Sequence, residues 1–161
     1  MVFVLYVLLA TWMIIFLGAH HDWKCKAVAE VESLLERYTP LSTRKDASST
    51  SLSLRLSSIP LEAWESEVPV LDAIIHETTR IAQPHVAMRR NLGPELYINN
   101  KVIPTDAYIV YPFSDVHLDP EIYPDPWRFD PGRKVANDAL LPYVGWGGGE
   151  SQMFRVSKRR S

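Results

Sequence analysis

The sequence predicts a mostly α-helical fold with a small β-sheet region, an α+β arrangement. Three observations carry that expectation: apolar residues recur at helical spacing up to about residue 81, the period changes to two between Leu96 and Tyr111, and most of the 12 prolines fall after residue 59. With 161 residues, of which 47% are hydrophobic, the chain fits one globular domain and excludes a disordered tail. The 17 basic and 19 acidic side chains leave a net charge of -2, so there is no positive footprint for nucleic acid. One cysteine, Cys25, cannot form an internal disulfide, and no Cys/His spacing suits structural zinc.

The first element is VFVLYVLLATWMIIFLG, Val2 to Gly18, which has no charge; the first charged residue is Asp22. Its length sits near the roughly 17 to 25 residues of a spanning helix. No Lys or Arg precedes it, so it lacks the start of a secretory signal, while Lys24 and Lys26 follow. Two readings stay open: a membrane span, or a helix apolar all round because other helices cover it. Next, Trp23, Ala27, Val31, Leu34 and Leu35 mark an amphipathic surface helix ending before Pro40. Leu41 to Ser58 holds seven serines and two threonines and reads as a solvated loop.

A helix starts after Pro60 with Leu61-Glu62-Ala63-Trp64, and another runs from Pro69 to Ile81, with Val70, Leu71, Ile74, Ile75, Thr78 and Ile81 on one stripe. Leu96-Tyr97-Ile98, Asn99-Asn100 and Val102-Ile103 then read as a hairpin, because asparagine tolerates the positive φ of a two-residue turn. Tyr108 to Tyr111 is a third strand. From Pro112 to Pro142 the Asp-Pro pairs predict an ordered meander without regular elements. Gly145-Trp146-Gly147-Gly148-Gly149 follows, a backbone able to approach a flat or charged ligand closely.

Glu77 and Arg80 lie at i and i+3 on the Pro69 to Ile81 helix, where a charge pair is natural. Arg133, in Phe129-Asp130-Pro131-Gly132-Arg133, is able to add a second fork to the Glu77 carboxylate. His76 reads as a packing residue, since no nucleophile or orienting group accompanies it, and His85 and His117 lie without ligand spacing. A nucleotide loop is disfavoured: the glycine run lacks the Gly-Lys-Ser/Thr ending, a strand before it and a helix after it.

Taken in order, Glu77-Thr78-Thr79-Arg80, Phe129-Asp130-Pro131-Gly132-Arg133 and Tyr143-Val144-Gly145-Trp146-Gly147-Gly148-Gly149 resemble the C-terminal part of the haem-thiolate monooxygenases, the cytochrome P450 family, and most of all its fungal members. The resemblance covers residues 10–152 and implies a single partial domain over 1–161, with 1–9 and 153–161 as non-family ends. It implies a partial P450 fold with an ExxR helix, hairpin, meander and incomplete haem loop. Trp12 to Ala19 would end the long helix crossing the haem, and His20 to Tyr38 would be the helix after it. Glu77, Arg80 and Arg133 match the family's structural Glu-Arg-Arg network. Arg89 matches a haem-propionate partner, with Arg90 as the neighbouring register, and an arginine fork suits a carboxylate. Trp146, Gly147 and Gly149 match the haem loop.

The resemblance further implies haem b with its iron, an electron-donating reductase, an apolar small-molecule substrate and a membrane-associated location at the endoplasmic reticulum. Oxygen-dependent monooxygenation would be the parent activity. At the cysteine position of the family motif, however, the sequence has Met153, with Ser151 and Arg155 at the flanking basic and glycine positions. A thioether is neutral and cannot give the electron push of a thiolate to O–O cleavage. By the same resemblance Cys25 belongs to a helix far from the iron. Val2 to Leu9 has neither the acid nor the alcohol of the oxygen-activating helix. The expectation is therefore a truncated or mis-spliced product, inactive as this chain. The competing expectation is a non-enzymatic, membrane-associated fragment that binds no haem.

Overall fold

The computed structural model describes residues 2–39, 51–82, 85–133 and 143–144, with side chains from Tyr6 onward. They fall into two compact units, one formed by residues 1–78 with 130–132 and the other by 79–129 with the chain from 133 onward.

In the first unit, α1 (Val2–Ala19) and α2 (His21–Tyr38) are separated by one residue, His20, whose φ of -118° and ψ of 79° leave the helical region. Hydrogen bonding continues across the break, because the His20 amide donates to Phe16 and the Lys24 amide to the His20 carbonyl. Tyr6, Val7, Leu8, Trp12, Ile14 and Ile15 of α1 are exposed. Among the described residues, no helix is long and apolar enough to cross a membrane.

The core of this unit forms where α2 meets two short helices, α3 (Leu52–Ser57) and α4 (Leu61–Ser66). Leu34, Leu35, Ile59, Ala63 and Val68 are buried together, flanked by Val31, Tyr38, Leu56, Trp64 and Leu71. The serine-rich stretch expected as loop thus contains a helix. Ser51 caps it by accepting from the Leu54 amide at 3.4 Å, and the apolar Leu56 and Ile59 gain a core to pack on. Serine frequency hid three leucines at spacing two. Residues 40–50 lie outside the described part.

Helix α5 (Pro69–Ala82) starts one residue after the buried Val68. Proline suits the first turn because its missing N–H has no intrahelical partner there. The free amides of Val70 and Leu71 donate to Glu30 Oε1 and Oε2, both at 2.9 Å. Beyond α4, Glu67 binds Arg37 and accepts from the Tyr38 hydroxyl at 2.6 Å. That hydrogen bond, together with burial, raises the Tyr38 pKa above its ordinary value.

The second unit holds two antiparallel pairs. Strand β1 (Val86–Arg90) pairs with β4 (Tyr108–Pro112) in the register Val86↔Pro112 to Arg90↔Tyr108. Strands β2 (Leu96–Ile98) and β3 (Lys101–Ile103) form the expected hairpin. Its turn residues, Asn99 and Asn100, have φ of 48° and 62°, the left-handed pair that twists in the same sense as the strands. The third expected strand is present as β4, but its partner β1 was not foreseen: Val86-Ala87-Met88-Arg89-Arg90 shows no alternation of apolar and polar residues. Asn91 joins the two pairs. Its Nδ2 donates to the carbonyls of Pro94, Ile103 and Pro104, and its Oδ1 accepts from the Gly93 amide.

The meander begins with a helical turn, α6 (Ser114–His117), and continues through the Asp-Pro turns to Phe129 without regular structure. Tyr123 and Phe129 are its buried anchors. Residues 134–142 lie outside the described part.

Candidate functional site

Of the three residues expected to form the structural network, Glu77 and Arg80 are buried and Arg133 is half-buried. Glu77 is 6% exposed and Arg80 3% exposed, rare for charged side chains and possible only when their polar atoms are engaged. In the first unit, Glu77 Oε1 accepts from the Asp130 amide at 3.0 Å. Asp130 in turn folds its Oδ1 back onto the Gly132 amide at 3.1 Å, an Asx-type turn made feasible by the intervening Pro131. Gly132 lies against the Trp23 indole so closely that a Cβ there would stand 3.3 Å from Cζ2. These contacts hold the Asp130-Pro131-Gly132 corner against α2 and α5.

In the second unit, Arg80 and Arg133 converge on the meander. Arg80 donates from Nη1 to the His117 carbonyl at 2.7 Å and from Nη2 to the Arg128 carbonyl at 3.4 Å. Arg133 donates from Nη2 to the same Arg128 carbonyl at 2.7 Å and to Asp125 at 3.2 Å, and from Nη1 to Pro124 at 2.5 Å. Both guanidinium groups lie over the Tyr123 ring, at 4.8 and 6.0 Å from its centroid. Backbone carbonyls without strand or helix partners are thereby satisfied by two multidentate donors, which is how a long irregular segment keeps one shape.

Asp125, between two prolines, has φ of 52°, and its carbonyl is one of those gathered by Arg133. His117 is fully buried. Its Nε2 accepts from the Val144 amide at 3.1 Å, and its ring stacks on Tyr143 at 5.3 Å. Burial, and then the Arg80 charge, push its pKa down to about 4. Sequence reasoning passed over His117 because it lacks ligand spacing, and its partner is a backbone amide, which no side-chain motif reveals.

The two arginines expected as alternative propionate partners differ in their contacts. Arg90 forms an ion pair with Asp106 at 3.0 Å and lies over Tyr108, whereas Arg89 is exposed and, among the described residues, donates to the neighbouring Met88 carbonyl at 3.0 Å. Trp146, Gly147, Gly149 and Met153 lie outside the described residues. Among the described residues there is no cluster of three or more His, Cys, Asp or Glu side chains that could hold a metal ion.

The family model for cytochrome P450 matches residues 10–139. This chain belongs to the cytochrome P450 family. Among its relatives are the P450 monooxygenase AacuE of Aspergillus aculeatus, 30% identical over 145 residues, and dmxR5 of a Cryptosporiopsis species, 32% identical over 142 residues. Each match covers 85% of this chain, but only 28% and 26% of the relative. A retinoic-acid-bound cyanobacterial P450, CYP120A1, superposes with a TM-score of 0.61 at 21% identity, covering 88% of this chain and 29% of that one. A zebrafish P450 in complex with abiraterone superposes with a TM-score of 0.58. The mostly helical architecture with its small antiparallel sheets is thus a partial P450 fold. This chain spans little more than a quarter of the length of the P450 relatives it matches.

Proposed function

We propose that this chain is a C-terminal portion of a haem-dependent monooxygenase that retains the family's structural network but does not itself catalyse oxygenation. The observation that carries the reading is Met153 at the cysteine position of the motif, three residues beyond the glycine run and Glu150. The donor offered at that position is a neutral thioether, so the residues present do not fit a haem-thiolate centre, and no catalytic step is derived through it.

In the parent reaction, haem b supplies oxygen activation, an electron-donating reductase supplies electrons, and an apolar small molecule is the substrate. The endoplasmic-reticulum membrane is the location proposed by family. Arg89 is the residue of this chain that would hold a propionate, because among the described residues its fork meets the Met88 carbonyl alone, whereas that of Arg90 is engaged with Asp106. Trp146, Gly147 and Gly149 would let backbone approach the macrocycle. Glu77, Arg80 and Arg133 act only on the protein, holding the corner at Asp130 and the carbonyls of the meander.

The test is the reduced, carbon-monoxide difference spectrum of the chain expressed with haem supplied, run beside a Cys25→Ser variant. The expected result is no red-shifted Soret band of thiolate type in either protein. Such a band in the unaltered chain would overturn the proposal, and its loss in Cys25→Ser would identify the sulfur responsible.

A further inference from the structure

We propose that His117 is a positioning residue for the chain entering the glycine run: as a neutral imidazole protonated on Nδ1 it holds the Val144 amide through Nε2, and a proton added to Nε2 releases that amide.

The tautomer follows from the partner. The Val144 N–H points at Nε2 over 3.1 Å, so Nε2 must carry its lone pair, and a neutral ring then has its proton on Nδ1. Nδ1 is buried and has no hydrogen-bond partner among the described residues. Leaving that donor unmade is costly, and the arrangement persists because the alternative tautomer would set one N–H against another and orphan two donors. Ring packing fixes the plane in which Nε2 points. Tyr143 stacks on the imidazole at 5.3 Å with an interplanar angle of 19°, and Phe113 lies tilted at 6.3 Å. The contact therefore joins α6 to Tyr143 and Val144, the residues immediately before Gly145.

Charging this ring meets opposition from each side that packs on it. From α5, the Arg80 guanidinium donates to the His117 carbonyl at 2.7 Å and already places a cation nearby. From the chain before the glycine run, Tyr143 is the titratable neighbour, a neutral phenol across the ring face. From its own turn, Phe113 contributes only an apolar ring. No carboxylate among the described residues forms an ion pair with His117. Burial and the Arg80 charge accordingly hold its pKa near 4, so the acceptor state prevails at neutral pH. Once Nε2 is protonated it can only donate, and the buried Val144 amide loses its acceptor. The functional weight of this release rests on reading the glycine run as the haem loop, whereas the contact itself does not.

The test uses the full chain labelled with nitrogen-15. The ring nitrogens of His117 report the tautomer, and amide hydrogen exchange at Val144 is followed from neutral pH toward about 4, with the amides of β1 and β4 as internal references. We expect the Nδ1-protonated form at neutral pH and Val144 protection of at least about tenfold, lost on acidification before that of the sheet. His117→Gln should retain protection and lose its acid transition, since an amide oxygen accepts without titrating in this range. His117→Ala should lose protection at every pH. An Nε2-protonated ring at neutral pH would overturn the proposal. So would unchanged Val144 protection in His117→Ala, or an unaltered acid transition in His117→Gln. If both variants fail to fold, the tautomer of the unaltered chain still decides. Failure of the haem reading would appear in the carbon-monoxide spectrum and leave these exchange rates as they are.

Discussion

The carboxylate of Glu30, on α2, caps α5 from 40 residues away, one oxygen on the Val70 amide and the other on Leu71, each at 2.9 Å. A helix normally caps itself with a serine, threonine or aspartate next to its first turn. Here Val68 occupies the core just before Pro69, and the cap arrives from outside. The negative charge at the helix N-terminus adds a favourable macrodipole interaction. Glu30→Gln keeps one acceptor and turns an NH2 group toward the second amide. We expect a loss of about 1 to 2 kcal/mol in urea unfolding, with Glu32→Gln as a surface control showing little change. Equal stability of the two variants would show that the Glu30 contact carries no net energy.

Helices α2 and α5 were legible in the sequence because each has a continuous apolar period, whereas α3 was hidden in a serine-rich stretch. The apolar stripe from Val70 to Ile81 and the boundary at Pro69 gave α5 to within one residue. The Asn99-Asn100 turn was legible because only a few residues tolerate positive φ at both positions. What escaped were contacts made by backbone. Strand β1 has no alternation to read, since Val86, Met88, Arg89 and Arg90 are all exposed and the strand exists through its ladder with β4. Likewise, the spacing of Glu77 and Arg80 suggested a simple charge pair. It could not show that the Arg80 fork lands on the carbonyls of His117 and Arg128, because those acceptors carry no sequence signature.

Arg80→Lys tests that fork. Lysine keeps the charge but presents one compact ammonium, unable to reach the His117 and Arg128 carbonyls together or to lie flat over Tyr123. We expect a loss of roughly 2 to 4 kcal/mol, since a buried charge would be left with part of its hydrogen bonding unmade. Thermal unfolding followed by tyrosine fluorescence measures it. A melting temperature unchanged by this substitution would mean that charge alone, without the fork, orders the meander.

Asn91 is the polar hinge between the two strand pairs, and its amide cannot be exchanged for a carboxylate. Its Nδ2 donates toward three carbonyls, Pro94, Ile103 and Pro104, at 3.0 to 3.3 Å. In Asn91→Asp a second oxygen would face those carbonyls while Oδ1 still accepted from Gly93. The expected loss is about 2 to 4 kcal/mol at neutral pH, with part recovered in acid when the carboxyl protonates and regains a donor. Denaturant midpoints at two pH values distinguish this from general loosening, which would show no acid recovery.

His117 gives the chain a pH-dependent stability whose sign is fixed by the direction of its shift. Its pKa falls from the ordinary 6.5 to about 4 on folding, so between those limits the unfolded chain binds a proton that the folded chain refuses. The contribution is fully present above 6.5, declines as pH drops through this window, and stops changing once both states are charged. Its total size is on the order of 3 kcal/mol for a ring so deeply buried. Carboxylates that are paired in the fold add a slope of the same sign, but theirs begins lower, near their ordinary values of roughly 4. The discriminating measurement is therefore the urea midpoint of the chain and of His117→Gln from neutral pH down to about 5, before most carboxylates titrate. The unaltered chain should lose stability across this interval while the variant stays nearly level. Parallel curves would place the titrating group elsewhere and remove His117 from the pH response.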